Sequence, residues 1–194
     1  MNRRICFKMM PALVVMMAIA LISPAQEDKY ADAYVCQKGM VHFFSATAME
    51  NIDATSNVAV CVLNTKSKKV FTKVKQTSFV FKDKLMQEHF NENYMESDKY
   101  PFSVLDMQIA DDIDFTKDGT YEVTLKGTIE MHGVKKERDI KGKITVKNGQ
   151  PVNGNAVFMV KLADHNIKIP SIVGTNIAED VKVDCDFNFE KFHK

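Results

Sequence analysis

The sequence predicts an all-β fold, an eight-stranded antiparallel β-barrel with one short amphipathic helix packed on it. Three observations lead to it. Apolar and polar residues alternate with a period of two through most of the chain after residue 38. Turn-forming dipeptides separate the alternating runs, and one stretch follows helical spacing instead. A strand with one polar, solvent-facing side and one apolar, buried side is typical of antiparallel sheets. Long strands joined by short turns favour a closed barrel over a sandwich.

Residues 1–25 carry the pattern of a secretory signal peptide. Basic residues from Arg3 to Lys8 precede a short apolar run, and small residues end it at Ala25. The run is shorter than the roughly 20 residues that a membrane span needs, so we expect no integral span after cleavage. We therefore expect an exported protein, periplasmic in the first instance, with an extracellular location as the alternative.

The rest of the chain predicts one domain, with an amino-terminal arm at 26–37 and the barrel at 38–192. Basic and acidic residues nearly balance, 26 against 25, for a formal net charge of +1. A nucleic-acid partner would call for a strong basic surplus, so we expect none. The sequence leaves a homodimer open.

Three cysteines follow the signal peptide: Cys36, Cys61 and Cys185. An odd number leaves at least one thiol unpaired within the chain. A Cys36–Cys61 or a Cys36–Cys185 disulfide stays open. No pair has the CxxC spacing of a redox centre.

The strands are predicted in order from their alternation. The clearest is YEVTLKGTIEM, in which Tyr121, Val123 and Leu125 share a face that continues to Ile129. The full set lies near 40–45, 57–63, 69–81, 102–110, 120–131, 137–147, 154–162 and 180–190.

Glycines mark turns and inward faces of these strands. Asp118-Gly119 and Asn148-Gly149 are hairpin dipeptides. Gly127 and Gly142 fall on inward faces. Two explanations stay open for this pair: they leave space for a slender ligand, or they let coiled strands bend.

The helical stretch is LMQEHFNENYMESDKYP, residues 85–101. Asp83 is placed to cap its amino terminus and Pro101 to follow its end. A wheel at about 100° per residue divides the stretch into two sides. The more apolar side is Leu85, Met86, His89, Phe90, Asn93 and Tyr94, and the other is Gln87, Glu88, Asn91, Glu92 and Met95.

The usual catalytic and metal-binding motifs are missing from the sequence. There is no GxSxG, GxxxxGK[ST], HExxH or GxGxxG. His89 and Glu92 form a His-x-x-Glu pair, which is too few ligands for zinc. The acidic stretch 110–119 has Lys117 where a calcium loop needs glycine. We therefore expect no metal, no cofactor and no catalytic residue.

Several pieces of the sequence, in order, resemble the YceI-like family of exported lipid-binding proteins, over roughly residues 38–192. They are GMVHFFSATAMENIDATSN, FVFKDKLMQEHFNENYMESDKYP, LKGTIEMHGVKKERDIKGKI and VFMVKLADHNIKIP. The "YP" after the helix and the "HGV" before basic residues are the most specific landmarks. The chain departs from the family in its first strand, which begins YVCQKG, and Cys36 is not a family landmark.

The resemblance implies a lipocalin-like eight-stranded barrel with the short amphipathic helix at the barrel mouth. It also implies an apolar tunnel for a long isoprenoid or other lipid-like chain, without covalent catalysis. The leading hypothesis is therefore periplasmic lipid binding or carriage. Its alternatives are a lipid-processing enzyme that uses His89 and Glu92, and an interaction module whose barrel is filled by side chains. Alternation and the resemblance together predict these ligand-lining residues: Phe90, Tyr94, Tyr121, Val123, Leu125, Ile129, Phe158, Val160, Leu162, Val183 and Phe187.

Overall fold

The computed structural model describes residues 30–46, 51–168 and 180–193, so the predicted signal peptide lies outside the described residues. Most of the described chain is antiparallel sheet. The strands are β1 Ala33–Ser45, β2 Ile52–Asn64, β3 Lys69–Lys75, β4 Val80–Phe81, β5 Phe102–Ile109, β6 Gly119–Met131, β7 Val134–Lys147, β8 Gln150–Lys161, β9 Asp180–Asn188 and β10 Glu190–Lys191.

Eight long strands within the described ranges close into a barrel, as predicted. Neighbours run in the order β1-β9-β8-β7-β6-β5-β3-β2, and β2 pairs back onto β1 to complete the ring. Val41 lies opposite Cys185 on one side of β1, and Cys36 opposite Cys61 on the other. The two-residue strands β4 and β10 continue the positions of β3 and β9: β4 pairs with β2 beyond β3, and β10 pairs with β1 beyond β9.

The first strand begins earlier than expected. It starts at Ala33, inside the stretch that the sequence assigns to an arm, because Ala33 and Tyr34 are buried and pair with β2. Gly39 lies at a register shift in β1. A Cβ there would stand 2.2 Å from the Phe187 ring, so this glycine lets the ring lie flat on the strand.

The predicted strand 69–81 is divided in the structure. β3 ends at Lys75, a 3₁₀ turn covers Gln76–Ser78, and β4 then pairs with β2 alone. Gln76 begins the turn at this break, and its buried side chain donates from Nε2 to Ser103 Oγ at 2.5 Å. Beyond this point the chain no longer pairs with β5, and a helical segment follows β4.

Two of the turns are tight hairpins with both central residues at positive φ. Asn148 and Gly149 have φ of 53° and 68°, and His132 and Gly133 have 51° and 73°. This matches the type I′ geometry that suits the twist of the flanking strands. The prediction for Asp118-Gly119 is wrong, because nine residues separate β5 from β6. Asp118 instead accepts a hydrogen bond from the Gly149 amide.

The inward glycines of β6 and β7 serve close strand packing. A Cβ on Gly127 would lie 2.2 Å from the Asp106 carbonyl oxygen, and one on Gly142 would lie 2.8 Å from that of Asn155. Backbone atoms occupy the space beside each glycine. The structure therefore favours the bending explanation over space for a ligand.

The helical segment, here called the mouth helix, comprises helix α1, Lys84–His89, and a π-helical turn, Phe90–Tyr94. Asp83 caps it as predicted and accepts from the Met86 amide at 2.8 Å. None of the helices in the described ranges is long and apolar enough to cross a membrane.

Candidate functional site

The mouth helix crosses one end of the barrel, beside the ends of β1, β6 and β8. Its wheel prediction fails in part, since Leu85 is 59% exposed and Met95 only 4%. His89, expected on the apolar side, is also exposed. The π-helical turn explains the burial of Met95. Its amide donates to the Phe90 carbonyl at 2.9 Å, five residues back, so the later residues rotate away from an α-helical wheel.

Four phenylalanine rings form a cluster under the mouth helix: Phe43, Phe79, Phe81 and Phe90. Phe90 lies nearly parallel to Phe43, with ring centroids 5.4 Å apart, and is tilted against Phe81 at 5.0 Å. Offset and edge-on pairs at such distances are favourable beyond their burial alone. This aromatic cluster fixes the mouth helix to β1 and β4.

A cavity of about 130 Å³, here called the mouth cavity, lies inside the barrel under the mouth helix. Met86, Phe90 and Met95 reach it from the mouth helix, and strands β1, β6, β8 and β9 form much of its wall. No Lys, Arg, His, Asp or Glu belongs to its lining among the described residues. The site therefore suits an apolar, uncharged group.

A second space of about 50 Å³, here called the inner cavity, continues toward the other end of the barrel. Four residues line both spaces and form a waist between them: Thr72, Leu105, Phe158 and Cys185. A chain longer than the mouth cavity would have to displace side chains at this waist, of which the Phe158 ring is the largest.

Few polar atoms face the mouth cavity, and most have partners. Gln76 and Ser103 bond to each other, and Thr72 Oγ1 donates to Cys61 Sγ at 3.3 Å. The hydroxyl of Ser45 differs, since this residue is 2% exposed and its Oγ has no hydrogen-bond partner among the described residues.

The three cysteines are free and buried. Burial raises the pKa of Cys61 and of Cys185 to about 12. A thiol held protonated in this way behaves as a small apolar group and is a poor nucleophile. Neither disulfide left open by the sequence is formed in this structure.

The geometry that the enzyme alternative requires is not found for His89 and Glu92. Both residues are exposed, and neither lines the mouth cavity or the inner cavity. Asn93 Nδ2 lies 3.0 Å from His89 Nδ1 on the outer surface of the mouth helix. Within the described residues, no group of three or more His, Cys, Asp or Glu is arranged to hold a metal.

The structure distributes the predicted lining residues over both spaces. Those on the mouth cavity are Phe90, Tyr94, Ile129, Phe158, Val160, Leu162 and Val183. Those on the inner cavity are Val123, Leu125, Phe187 and, again, Phe158. Contact of any of them with a ligand stays a prediction.

Tyr121 lines neither space, which corrects its predicted position. Its ring packs near Gly119 at the far end of the barrel. Its hydroxyl donates to the Lys117 carbonyl at 2.8 Å. The alternation of β6 identified the face correctly, but this residue lies too close to the end of the strand to reach the cavity.

Sequence reasoning missed several lining residues on β1 and near the mouth helix. Val41, Phe43 and Ser45 are in phase on β1, so their alternation with His42 carried the signal. Met95 had none, because only the π-helical turn brings it inward. The other residues missed on the mouth cavity include Ile52, Val74, Phe79, Phe81, Met131 and Ile167.

Three of the sequence pieces that carry the family resemblance meet at one corner of the mouth. The Tyr100 ring covers Gly133, where a Cβ would be 2.5 Å from it, and lies edge-on to the His132 ring at 4.5 Å between centroids. His132 Nε2 lies 2.7 Å from Glu96 Oε2, and its Nδ1 donates to the His165 carbonyl at 3.2 Å. This corner ties the segment after the mouth helix to the β6–β7 hairpin.

Comparison with solved structures shows the same fold. A polyisoprenoid-binding domain from Saccharophagus degradans, implicated in plant cell wall breakdown, aligns at a TM-score of 0.64 with 12% identity, over 84% of this chain and 99% of that one. BcnA of Burkholderia cenocepacia aligns at 0.59 with 14% identity, over 77% and 94%. A YceI protein of Campylobacter jejuni aligns at 0.53 with 18% identity, over 70% and 81%.

Comparison at the level of sequence identifies the family. A search of curated proteins found no match. The model of the YceI-like domain matches residues 36–189, a range that holds the whole barrel ring from Cys36 onward, the mouth helix and both cavities. This chain therefore belongs to the YceI-like family.

Proposed function

We propose that this protein binds or carries a chain-like apolar molecule of the isoprenoid or a similar lipid class, with the chain in the mouth cavity. The observation that carries the proposal is the mouth cavity itself, an apolar space inside the barrel whose described lining holds no charged side chain. The polyisoprenoid-binding description of one structural neighbour supports the isoprenoid class.

Affinity would come mainly from removing apolar chain from water. At about 25 cal/mol per Å², burial of roughly 300 Å² supplies about 7 kcal/mol. Association entropy opposes this gain. A pre-formed cavity limits the further cost of ordering, since the aromatic cluster and the waist already hold their side chains in place.

The test is mass spectrometry of an organic extract from protein purified out of its native host, with Phe158→Asp beside the natural protein. A carboxylate at position 158 would place a charge on the wall of both cavities, so we expect the co-purified lipid to be lost. The matched control is Val157→Asp, because Val157 is the adjacent residue on the outer face and is 55% exposed.

Equal lipid content in both variants would contradict the proposal. A lipid-free natural protein that also fails to bind apolar probes would favour the alternative of a ligand-free interaction module. The enzyme alternative has no support from the positions of His89 and Glu92.

We propose an exported location on the pattern of residues 1–25 alone. Cleavage after Ala25 predicts a mature chain that begins at Gln26. Cell fractionation with amino-terminal sequencing checks both the location and the cleavage. An intact amino terminus in the cytoplasmic fraction would contradict it.

A further inference from the structure

The Ser45 hydroxyl is an unexplained polar atom inside the proposed binding site. Ser45 is the last residue of β1, opposite Ile52 at the mouth end of the barrel. It lines the mouth cavity, and its Oγ lacks a hydrogen-bond partner among the described residues. Buried hydroxyls are nearly always paired, since an unpaired one loses its hydration without compensation.

The other serine and threonine hydroxyls of the described lining do not share this feature. Thr72 Oγ1 donates a hydrogen bond to Cys61 Sγ, and Ser103 Oγ accepts one from the Gln76 side-chain amide. Ser56, a buried serine on the neighbouring strand β2, lies 2.7 Å from Ser78 Oγ and does not line the cavity. Among the serine and threonine hydroxyls of the described lining, Ser45 therefore stands apart as the buried one without a partner, which leaves it available to a bound molecule.

The charge of that wall limits what the bound molecule can be. The described lining holds no cationic side chain, so a carboxylate or phosphate inside the cavity would have no counter-charge. Transfer of an unpaired anion into such surroundings is strongly unfavourable. A neutral oxygen, by contrast, needs a single hydrogen-bonding partner, and a hydroxyl both donates and accepts.

We propose that Ser45 anchors the polar end of the ligand, and that this ligand is an uncharged chain lipid with one alcohol or carbonyl oxygen. The oxygen lies at the mouth end beside Ser45, and the chain runs inward toward Phe158. This inference rests on the proposed function and narrows it from apolar chains in general to neutral oxygenated ones.

The experiment measures competition with a fluorescent apolar probe, N-phenyl-1-naphthylamine, by three fifteen-carbon molecules: farnesol, β-farnesene and farnesyl phosphate. Each is titrated against the natural protein, Ser45→Ala and the matched control Ser56→Ala. The change from natural protein to variant is compared between molecules, so that differences in their solubility cancel. Thermal unfolding confirms that each variant is folded.

We expect Ser45→Ala to weaken farnesol about three- to tenfold, as for the loss of one hydrogen bond, and to change β-farnesene less than about twofold. Ser56→Ala should leave the ratio of the two molecules as in the natural protein. Farnesyl phosphate should bind more weakly than farnesol to the natural protein.

Two results would overturn the inference while leaving lipid binding intact. Equal effects of Ser45→Ala on farnesol and β-farnesene would mean that a bound water satisfies the hydroxyl or that it only fills space. Tighter binding of farnesyl phosphate than of farnesol would refute the neutral class. Failure of the probe and all three molecules to bind the natural protein would instead reject the proposed function itself.

Discussion

The two halves of the barrel interior are covered and filled in different ways. At the mouth, the aromatic cluster and the methionines Met86 and Met95 surround a space of about 130 Å³. At the far end, Ile113 from the β5–β6 connection packs against Leu63 and leaves about 50 Å³. This end is the closed-end cluster: Leu63, Ile109, Ile113, Val123, Ile144 and Val146.

The difference separates binding from stability within one sheet. The closed-end cluster is aliphatic, and branched side chains that interdigitate leave little freedom. The unbranched methionines at the mouth adapt to what lies against them. We therefore expect substitutions in the closed half to act on folding and those in the mouth half to act on ligand affinity.

Thiol reactivity gives the largest expected effect, and it compares the barrel interior with the outer surface of the mouth helix. Since burial raises the pKa of Cys61 and Cys185 from 9.0 to about 12, the thiolate fraction falls about a thousandfold at neutral pH. We expect Ellman's reagent to modify the folded protein at least about 100-fold more slowly than the urea-unfolded chain.

The control for that experiment is Leu85→Cys, which places a thiol on the outer side of the mouth helix, where Leu85 is 59% exposed. It should react promptly in the folded protein. Native cysteines that react as fast as this thiol would show that the barrel interior opens readily, contrary to the burial of their side chains.

Leu63→Ala should cost the most stability. Leu63 is 0% exposed and belongs to the closed-end cluster, so the change leaves a cavity and lowers the free energy of unfolding by about 3 kcal/mol. Urea unfolding measures this. The affinity for an apolar probe should stay within about twofold. A loss under about 1 kcal/mol would contradict the assignment of stability to this half.

Phe90→Ala should show the opposite balance. Removing a ring from the aromatic cluster opens the wall of the mouth cavity, and we expect the affinity for an apolar probe to fall about tenfold, or 1.4 kcal/mol. Stability should fall less than in Leu63→Ala, because Phe90 is only half-buried. The control is Leu85→Ala on the outer side of the mouth helix, for which unchanged affinity is expected.

Phe158→Ala should reduce the separation between the mouth cavity and the inner cavity, because the Phe158 ring lies at the waist between them. We expect longer-chain alcohols to gain about threefold in affinity over ten-carbon ones, because more of the chain is buried. Val157→Ala, on the outer face, is the control. Loss of affinity in equal proportion for all chain lengths would show that the waist does not limit length.

The smallest effect concerns acid sensitivity at the mouth corner. Burial lowers the pKa of His165 below 6.5, and its Nδ1 donates to the Val134 carbonyl. As pH falls, the unfolded chain binds a proton at this histidine before the folded protein does. The contribution of neutral His165 to stability is therefore complete above pH 6.5. It is lost as pH falls through the folded-state pKa.

His165→Asn retains a donor but does not titrate, so its stability should decline less between pH 7.5 and pH 5.5. Urea unfolding at the two values makes the comparison. His165 is faced by Arg138, Asp164 and the backbone of the β6–β7 hairpin. If the stability of the variant falls as much between the two pH values as that of the natural protein, other groups cause the acid sensitivity.

Much of the barrel was predictable from the sequence because alternation reports which face of a strand is dry. Val123, Ile129 and Val160 follow this rule, and each lies inside the barrel. The break after β3 was not predictable from alternation, and at this point the buried Gln76 side chain bonds to Ser103, which is 27 residues away. No local pattern reports a pairing of that kind.

The candidate site was predicted less completely, for two physical reasons. A helical wheel assumes 3.6 residues per turn, and the π-helical turn that buries Met95 violates this. The second reason is that the residues around a polar atom in the folded structure determine whether it has a hydrogen-bond partner. Alternation from Val41 indicates that Ser45 points inward, but only the assembled cavity reveals that its hydroxyl has no partner.

The position of β1 between β2 and β9 has a consequence for how the chain folds. The β1–β2 hairpin is local, whereas the seam that joins Val41 to Cys185 spans most of the sequence. Contacts between such distant residues are slow to form, since a large loop must close first. The ring therefore cannot shut until the last strand has been synthesised, and until then both halves of the interior are exposed to water.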